Sequence, residues 1–323
     1  MILLKKKFLA LLLSALTVFA CGCSVNSDRI RIGTAGLGGI YNEFGTALAQ
    51  VVTDDDNLDI DVKTTTGSAA NLRLLSQGYL EMAIAQADII NDAYNGKGTF
   101  SSSGEYKGYS AVAGLYTEAC QIVVRSDSNI KTVDDLLGKT VSVGEDESGT
   151  EQNANQILSA YGLTNDMLNI VNLDYTDAAE QLNNNKIDAF FCTSGVNATV
   201  IVELSKQCSI RLLEVSGKTA EKLKTAYKFY TDYIIPANTY EGQTDEIKTL
   251  GLKSVLLASD KLSEEKVKAI TKAIFDNSEK MQFTVSATLE LDEQTAVNGI
   301  TIPFHKGACA YYASKNITVA TEQ

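Results

Sequence analysis

"RIGTAGLGGIYNEFGTALA", Arg31 to Ala49, holds a short alternating apolar run, a turn carrying Gly33, Gly36, Gly38 and Gly39, and a helical pattern. A strand feeding a small-residue turn that opens a helix is the repeating unit of α/β folds. The turn does not have nucleotide-binding spacing. From Gly33 the order is G-x-x-G-x-G-G, whereas a dinucleotide fingerprint needs G-x-G-x-x-G and a phosphate loop ends in G-K-[ST]. What remains is a general anion site, since unpaired backbone N–H groups sit beside the positive end of a helix dipole.

The unit recurs three times. Ile60–Thr64 runs into "TTGSAANLRLL", Thr140–Gly144 into "EDESGTEQNANQIL", and Ile187–Phe191 into "CTSGVNATVIVEL". Further strands are expected at Met82–Ala85 and Gln121–Val124, and Thr132-x-x-Asp135 is a capping box that starts a helix. There is also an internal echo. Leu75, Gly78, Leu80 and Glu81 correspond to Leu182, Asn185, Ile187 and Asp188, each 107 residues later. Two related α/β lobes follow, with the chain crossing between them near Arg125 and again near Pro236–Gly251. The C-terminal part adds a strand-like "LKSVLLAS" and a helix capped by Ser263, with Glu264 and Glu265 in its first turn and Val267, Ile270 and Ile274 on one face. This segment should pack back on the first lobe.

The bulk numbers fit a two-domain globular chain of 323 residues, with 45% hydrophobic and 21% charged residues. Twenty-eight basic against 40 acidic residues leave no positive footprint for a phosphate backbone, so nucleic acid is not an expected partner. Lys5, Lys6 and Lys7 precede a 13-residue apolar run, Phe8 to Ala20. That run is short of the roughly 20 residues a membrane-spanning helix needs and reads as a signal peptide over residues 1–22. The following "ACGCS" resembles a lipobox: Cys23 has the small Gly22 before it, and Cys21 has Val18 three residues upstream. Cys23, or else Cys21, is the expected lipidated residue, which would tether the chain outside the membrane.

Catalysis and metal binding find little support. Cys120, Cys192, Cys208 and Cys309 form no CxxC pair. Cys192 and Cys208 flank one expected helix as a possible bridge, and buried free thiols are the other reading. The single histidine, His305 in "IPFHKG", has no G-x-S-x-G elbow to serve and is read as structural. No metal site and no cofactor are expected. "TDDDN", Thr53–Asn57, reads as a solvated turn. Tyr41, just after the first glycine turn, and Tyr116, at the end of "AVAGLY", each combine an apolar face with a hydroxyl suited to a small ligand.

Taken together, "IGTAGLGGIYNEFGTALA", "TTTGSAANLRLLSQGYLEMAIAQAD", "GLYTEACQIVVRSDSNIKTVDDLLGKTVSVGEDESGT", "IDAFFCTSGV" and the later "IPANTYEGQTDEIKTLGLKSVLLAS" and "IPFHKGACAYY" resemble the signature blocks of the TAXI family. These are extracytoplasmic solute receptors of TRAP transporters. One departure is Asn197, where the family usually carries proline. The resemblance implies a type II periplasmic-binding-protein fold, two α/β lobes joined by a hinge with a ligand cleft between them. Residues 29–125 with 250–323 would form one lobe and 126–249 the other. It implies a monomeric binding protein, not an enzyme, that passes a small carboxylate-bearing solute, such as a glutamate- or glutamine-like amino acid or an organic acid, to an integral-membrane TRAP permease. The receptor of an ABC importer, a sensor, and an extracellular enzyme on the same scaffold stay open as alternatives.

Carried over residue by residue, Thr34, Gly38, Gly39 and Tyr41 of the first loop and Ser68 and Asn71 of the second line the cleft from one side. Gln86, Asp88 and Tyr116 reach it from strand ends. Ser148, Gly149, Thr150 and Gly195 face them from the other lobe. The "SGT" turn is expected to take a carboxylate, Gln86 or Asn71 a second polar group, and Asp88 an ammonium. No role is assigned to Arg73 or Arg125.

Overall fold

The computed structural model describes residues 29–56 and 58–321, so the leader and both candidate lipidation cysteines, Cys21 and Cys23, lie outside the described residues. The first half of the sheet begins with β1 (Ile30–Gly33), which buries Ile30 and Ile32 and leads through the glycine turn into α1 (Ile40–Asp56). This helix buries Ile40, Phe44, Ala47, Leu48, Val51 and Val52, the i, i+4, i+7, i+8 stripe of a helix lying on a sheet. The unit repeats as β2 (Ile60–Lys63) with α2 (Ser68–Ser76) and β3 (Met82–Gln86) with α3 (Ala87–Tyr94). The long strand β4 (Tyr109–Arg125) follows.

The second half has β5 (Thr140–Ser142), α4 (Gly149–Ala160), β6 (Asn169–Val171), α5 (Tyr175–Asn183), β7 (Ala189–Ser194), α6 (Thr199–Gln207), β8 (Ile210–Leu212), α7 (Gly217–Ala226) and β9 (Thr231–Ile235). The chain then returns along β10 (Ile247–Ser259) to α8 (Glu264–Asp276), α9 (Ser278–Thr284) and α10 (Lys306–Ser314).

All ten strands belong to one sheet, ordered β2-β1-β3-β10-β4-β7-β5-β6, with β8 on β4 and β9 on β10. The order reads alike from both ends: β1 pairs in parallel with β2 and β3, and β5 pairs in parallel with β6 and β7. The 107-residue echo therefore lies on equivalent helix–strand junctions, α2 into β3 and α5 into β7. Its two stop residues, Gly78 and Asn185, both hold positive φ, +80° and +55°, the left-handed conformation that glycine and asparagine tolerate best.

β4 and β10 run antiparallel through the middle. Beyond Ser254, β10 pairs with β3, while its first residues up to Gly251 pair with β9; β4 takes β7 as partner from Ala119 onward. The two strands change partners around Glu118 and Gly251–Ser254, where a register shift interrupts the ladder. Gly251 allows the close approach, because a Cβ there would lie 2.7 Å from the Thr117 methyl. The expected limits at residues 125 and 250 fall at the end of β4 and inside β10.

Two apolar layers follow from strand alternation. In β7, Phe190 and Cys192 face the larger core shared with α5 and α6, whereas Ala189 and Phe191 face a second cluster with Ile157 and Leu158 of α4 and Leu223 of α7. α8, capped by Ser263 Oγ, buries Val267, Ile270 and Ile274 and packs on α1 and α10. His305 closes the start of α10 by accepting from the Gly307 amide at Nδ1. The Thr132–Asp135 capping box stands on a single helical turn, Val133–Leu136.

Some local expectations change. Thr53–Asp56 are solvent-exposed as expected but form the last turn of α1, with Asp54 paired to Lys280 of α9. The cysteines follow the free-thiol reading and not the Cys192–Cys208 bridge: all four described are free, Cys120 and Cys192 buried and Cys208 and Cys309 partly so. Asn197 holds φ +65°, which the proline ring cannot reach, so the chain enters α6 by a path closed to a proline-bearing relative.

Candidate functional site

A cavity of about 480 Å³, including the space at its mouth, opens between the two halves of the sheet. Its walls come from turns at helix N-termini. Gly36, Gly39, Ile40 and Tyr41 lead into α1, and Thr66, Gly67 and Ser68 into α2. Ser148, Gly149 and Thr150 open α4, and Asp174 and Tyr175 open α5. The parallel strands point their C-terminal ends at one place, and each delivers the start of its helix there.

These helix starts are not equivalent. The first-turn amides of α2 are already occupied, because Ala69 and Ala70 both donate to the Glu147 carbonyl, at 3.1 and 3.3 Å. At α4, Ser148 Oγ accepts from the Glu151 amide at 3.0 Å and caps the helix. Glycine at the next position brings the backbone against Gln86, whose amide oxygen a Cβ on Gly149 would strike. Gly149 and Thr150 sit in the turn whose N–H groups have no intrahelical acceptor, on the cavity wall. Thr150 Oγ1 is tied elsewhere: it lies 2.6 Å from Tyr175 Oη, which donates to the Thr193 carbonyl at 2.9 Å. The threonine and tyrosine hydroxyls therefore fix the start of α4 beside the cavity.

Of the residues expected from sequence, Gly39, Tyr41, Ser68, Gln86, Ser148, Gly149 and Thr150 line this cavity. Six others lie off its wall. Asn71 donates to the carbonyls of Thr34 and Ile84 and accepts from Thr65, and Thr34 in turn donates to the Lys63 carbonyl, so both are spent on lashing β1, β2 and β3 together. Gly38 packs on Val200, and Gly195 is wedged among Ala287, Ile40 and Tyr116. Asp88 is buried behind the site on α3, with Asn153 Nδ2 3.4 Å away. Tyr116 is fully buried, with no partner for its hydroxyl.

The buried acid on the wall is Glu118, which was not anticipated. Its side chain is 2% exposed and accepts from Tyr41 Oη at 3.2 Å. Burial pushes its carboxyl up to about 8, and burial likewise lifts Asp88 to about 7. A signal was present in the sequence: Glu118 is the one acid in the seventeen residues of β4, and a charge inside an otherwise buried strand asks for a reason. Tyr175, Thr193 and Ser194 were also missed. Glu145 and Asp174 also line the cavity, from the second half, and no lysine, arginine or histidine is among the described residues of the wall. Arg73 lies outside the cavity, stacked on Phe100 and Tyr106 and paired through Nε with Glu147 Oε1 at 3.0 Å.

Two sheet halves that aim helix N-termini at a shared cavity, spanned by two continuous strands, define the two-lobed α/β fold of periplasmic binding proteins. The chain belongs to the NMT1-like family, whose model matches residues 32–315. Solved structures agree on the fold. A protein of Bordetella bronchiseptica RB50 is 15% identical, with 80% of this chain and 76% of that chain covered at a TM-score of 0.54. The binding protein component of an ABC phosphonate transporter from Pseudomonas aeruginosa is 11% identical over 81% and 82%, with a TM-score of 0.50. No helix among the described residues is long and apolar enough to cross a membrane.

Proposed function

We propose that this protein is an extracytoplasmic solute receptor of the TAXI type, which captures a small carboxylate-bearing solute and hands it to a TRAP permease. The observation that carries this reading is the cavity itself: it is walled by both sheet halves and faced by the amides at the start of α4. A carboxylate there meets N–H donors and the positive end of a helix dipole, in a site that closes around it. The reading takes residues 29–125 with 250–323 as one lobe and 126–249 as the other, hinged on β4 and β10. It also takes Cys23, or Cys21, as the lipid anchor that holds a monomer beside its permease. Binding without turnover is the expected behaviour, since the lone histidine is occupied in capping α10.

The test is native mass spectrometry of the chain from residue 24, together with melting curves, against a panel of amino acids and dicarboxylates. A retained mass with a matching rise in melting temperature supports the receptor. A hundredfold excess over the dissociation constant adds about 2.7 kcal/mol. Silence across the panel removes the assignment. The likeness to an ABC transporter's binding component favours a second reading, a receptor feeding an ABC importer. Neighbouring genes separate the two: a large membrane subunit belongs with TRAP and an ATPase with ABC.

A further inference from the structure

The carboxylate-receptor reading leaves two solute classes, organic acids and amino acids. We infer that the ligand carries an ammonium group, bound by Glu118, beside a carboxylate on the Gly149 and Thr150 amides, and that a diacid without an amino group binds far more weakly. This rests on the receptor reading and narrows it.

Three features of the cavity support it. The first is the buried Glu118 on the wall, which accepts from Tyr41 Oη and from the Gln86 side chain, both neutral, with no cationic side chain among the described wall residues. A buried carboxylate without a counter-charge is costly, and a site keeps one where a ligand supplies the charge. The second is Gln86. It is 2% exposed and lines the same wall, and its Oε1 has no hydrogen-bond partner. A carbonyl oxygen left without a donor beside a carboxylate is a second acceptor for an N–H-rich group. The third is the start of α4, the donor side, where Gly149 packs directly against the Gln86 amide, so that donors and acceptors adjoin in one cavity. Donors beside acceptors match an α-amino acid, whose ammonium and carboxylate share one carbon. A diacid brings no cation to pair with Glu118, so it is held only while Glu118 keeps its proton, and it sets a carboxylate against Gln86 Oε1.

Other groups facing Glu118 do not supply the missing charge. They are Tyr41 of α1, Gln86 of β3, Asp88 of α3, Tyr175 of α5, Cys192 of β7, and Tyr116 and Cys120 of β4 itself. Each is neutral or acidic. In the empty site Glu118 is held protonated, and an arriving ammonium displaces that proton to solvent, leaving a carboxylate–ammonium pair.

The experiment is calorimetry on the chain from residue 24 with matched pairs: L-glutamate and glutarate, L-glutamine and glutaramate, L-alanine and propionate. The expected result is that at least one amino acid binds at least a hundredfold tighter than its amino-free partner. Titration in two buffers of different ionisation enthalpy at pH 7 should also show close to one proton released. The isosteric Glu118→Gln should remove that proton release and shrink the preference at least tenfold, while keeping a cooperative melt. If glutarate or propionate binds as tightly as its amino acid, or binding releases no proton, the inference is overturned and the receptor reading stands. If neither member of any pair binds, both fall.

Discussion

The carbonyl oxygen of Glu147 lies 3.1 Å from the amide nitrogen of Ala69, so a loop of the second sheet half caps a helix of the first. Glu147 adopts φ +64° to do so, and its side chain reaches Arg73. On the receptor reading, opening of the cleft would break this bond and return the α2 amides to water.

Glu147→Gln keeps the backbone bond and removes the ion pair. Both side chains are partly exposed, so the loss is at most about 1 kcal/mol. Dissociation of the bound ligand should accelerate up to roughly fivefold in stopped-flow measurements, with little change in association. An unchanged off-rate would mean that the pair does not hold the cleft shut.

Gly149→Ala places a methyl against the Gln86 amide. The added atom wedges the two halves apart at the ligand, and affinity should fall at least tenfold while the melting temperature changes by only a few degrees. Adding Gln86→Ala should recover part of the loss if the clash is the cause. Calorimetry on the single and double variants decides it.

Tyr175→Phe removes one hydroxyl that joins Thr150 to the Thr193 carbonyl. Leaving those buried groups a partner short should destabilise the fold by about 1–2 kcal/mol in urea titrations. It should also weaken ligand binding, because the start of α4 loses its tether.

Stability should fall as pH rises. Glu118 and Asp88 titrate near 8 and near 7 in the fold and near 4 when unfolded. Between those values the folded state binds more protons, so their stabilisation is complete below about pH 4 and is lost as pH climbs through 7 and 8. Urea midpoints of the ligand-free protein should decline from pH 5 to pH 8, and Glu118→Gln should flatten that slope. A slope identical in the variant would show that Glu118 does not titrate there.

With no bridge among the described cysteines, a reducing agent should leave the melting temperature of the chain from residue 24 unchanged. Burial raises the thiols of Cys120 and Cys192 far above the usual range, so native protein should protect both from a thiol reagent until it unfolds. Rapid modification of either would contradict their placement.

The strand–turn–helix units were legible because each is local: apolar alternation, a small-residue turn and a helix cap all lie within about twenty residues of one another. The cavity wall was legible where backbone forms it, as at Gly39, Ser68 and Gly149. It was misread where a side chain's direction decides. Asp88 sits two positions past the end of β3, on the first turn of α3, and the turn carries it behind the wall, while Asn71 spends its amide on β1 and β3. Glu118 escaped notice because its position depends on where two long strands exchange partners, a pairing between residues about 130 apart in the chain.

That same pairing shapes how the molecule assembles. β5, β6 and β7 lie within residues 140–194 and can pair as soon as that stretch of chain exists. β3 instead waits for β10, and Gln86 finds Ser254 only after the whole second half has been made. Closing so long a loop is slow even where its entropic cost grows only with the logarithm of its length. Refolding should therefore show the second half acquiring protected amides first, with β1–β3 left exposed on one edge until the returning strand arrives. That interval is when the chain is most open to mispairing with another copy of itself.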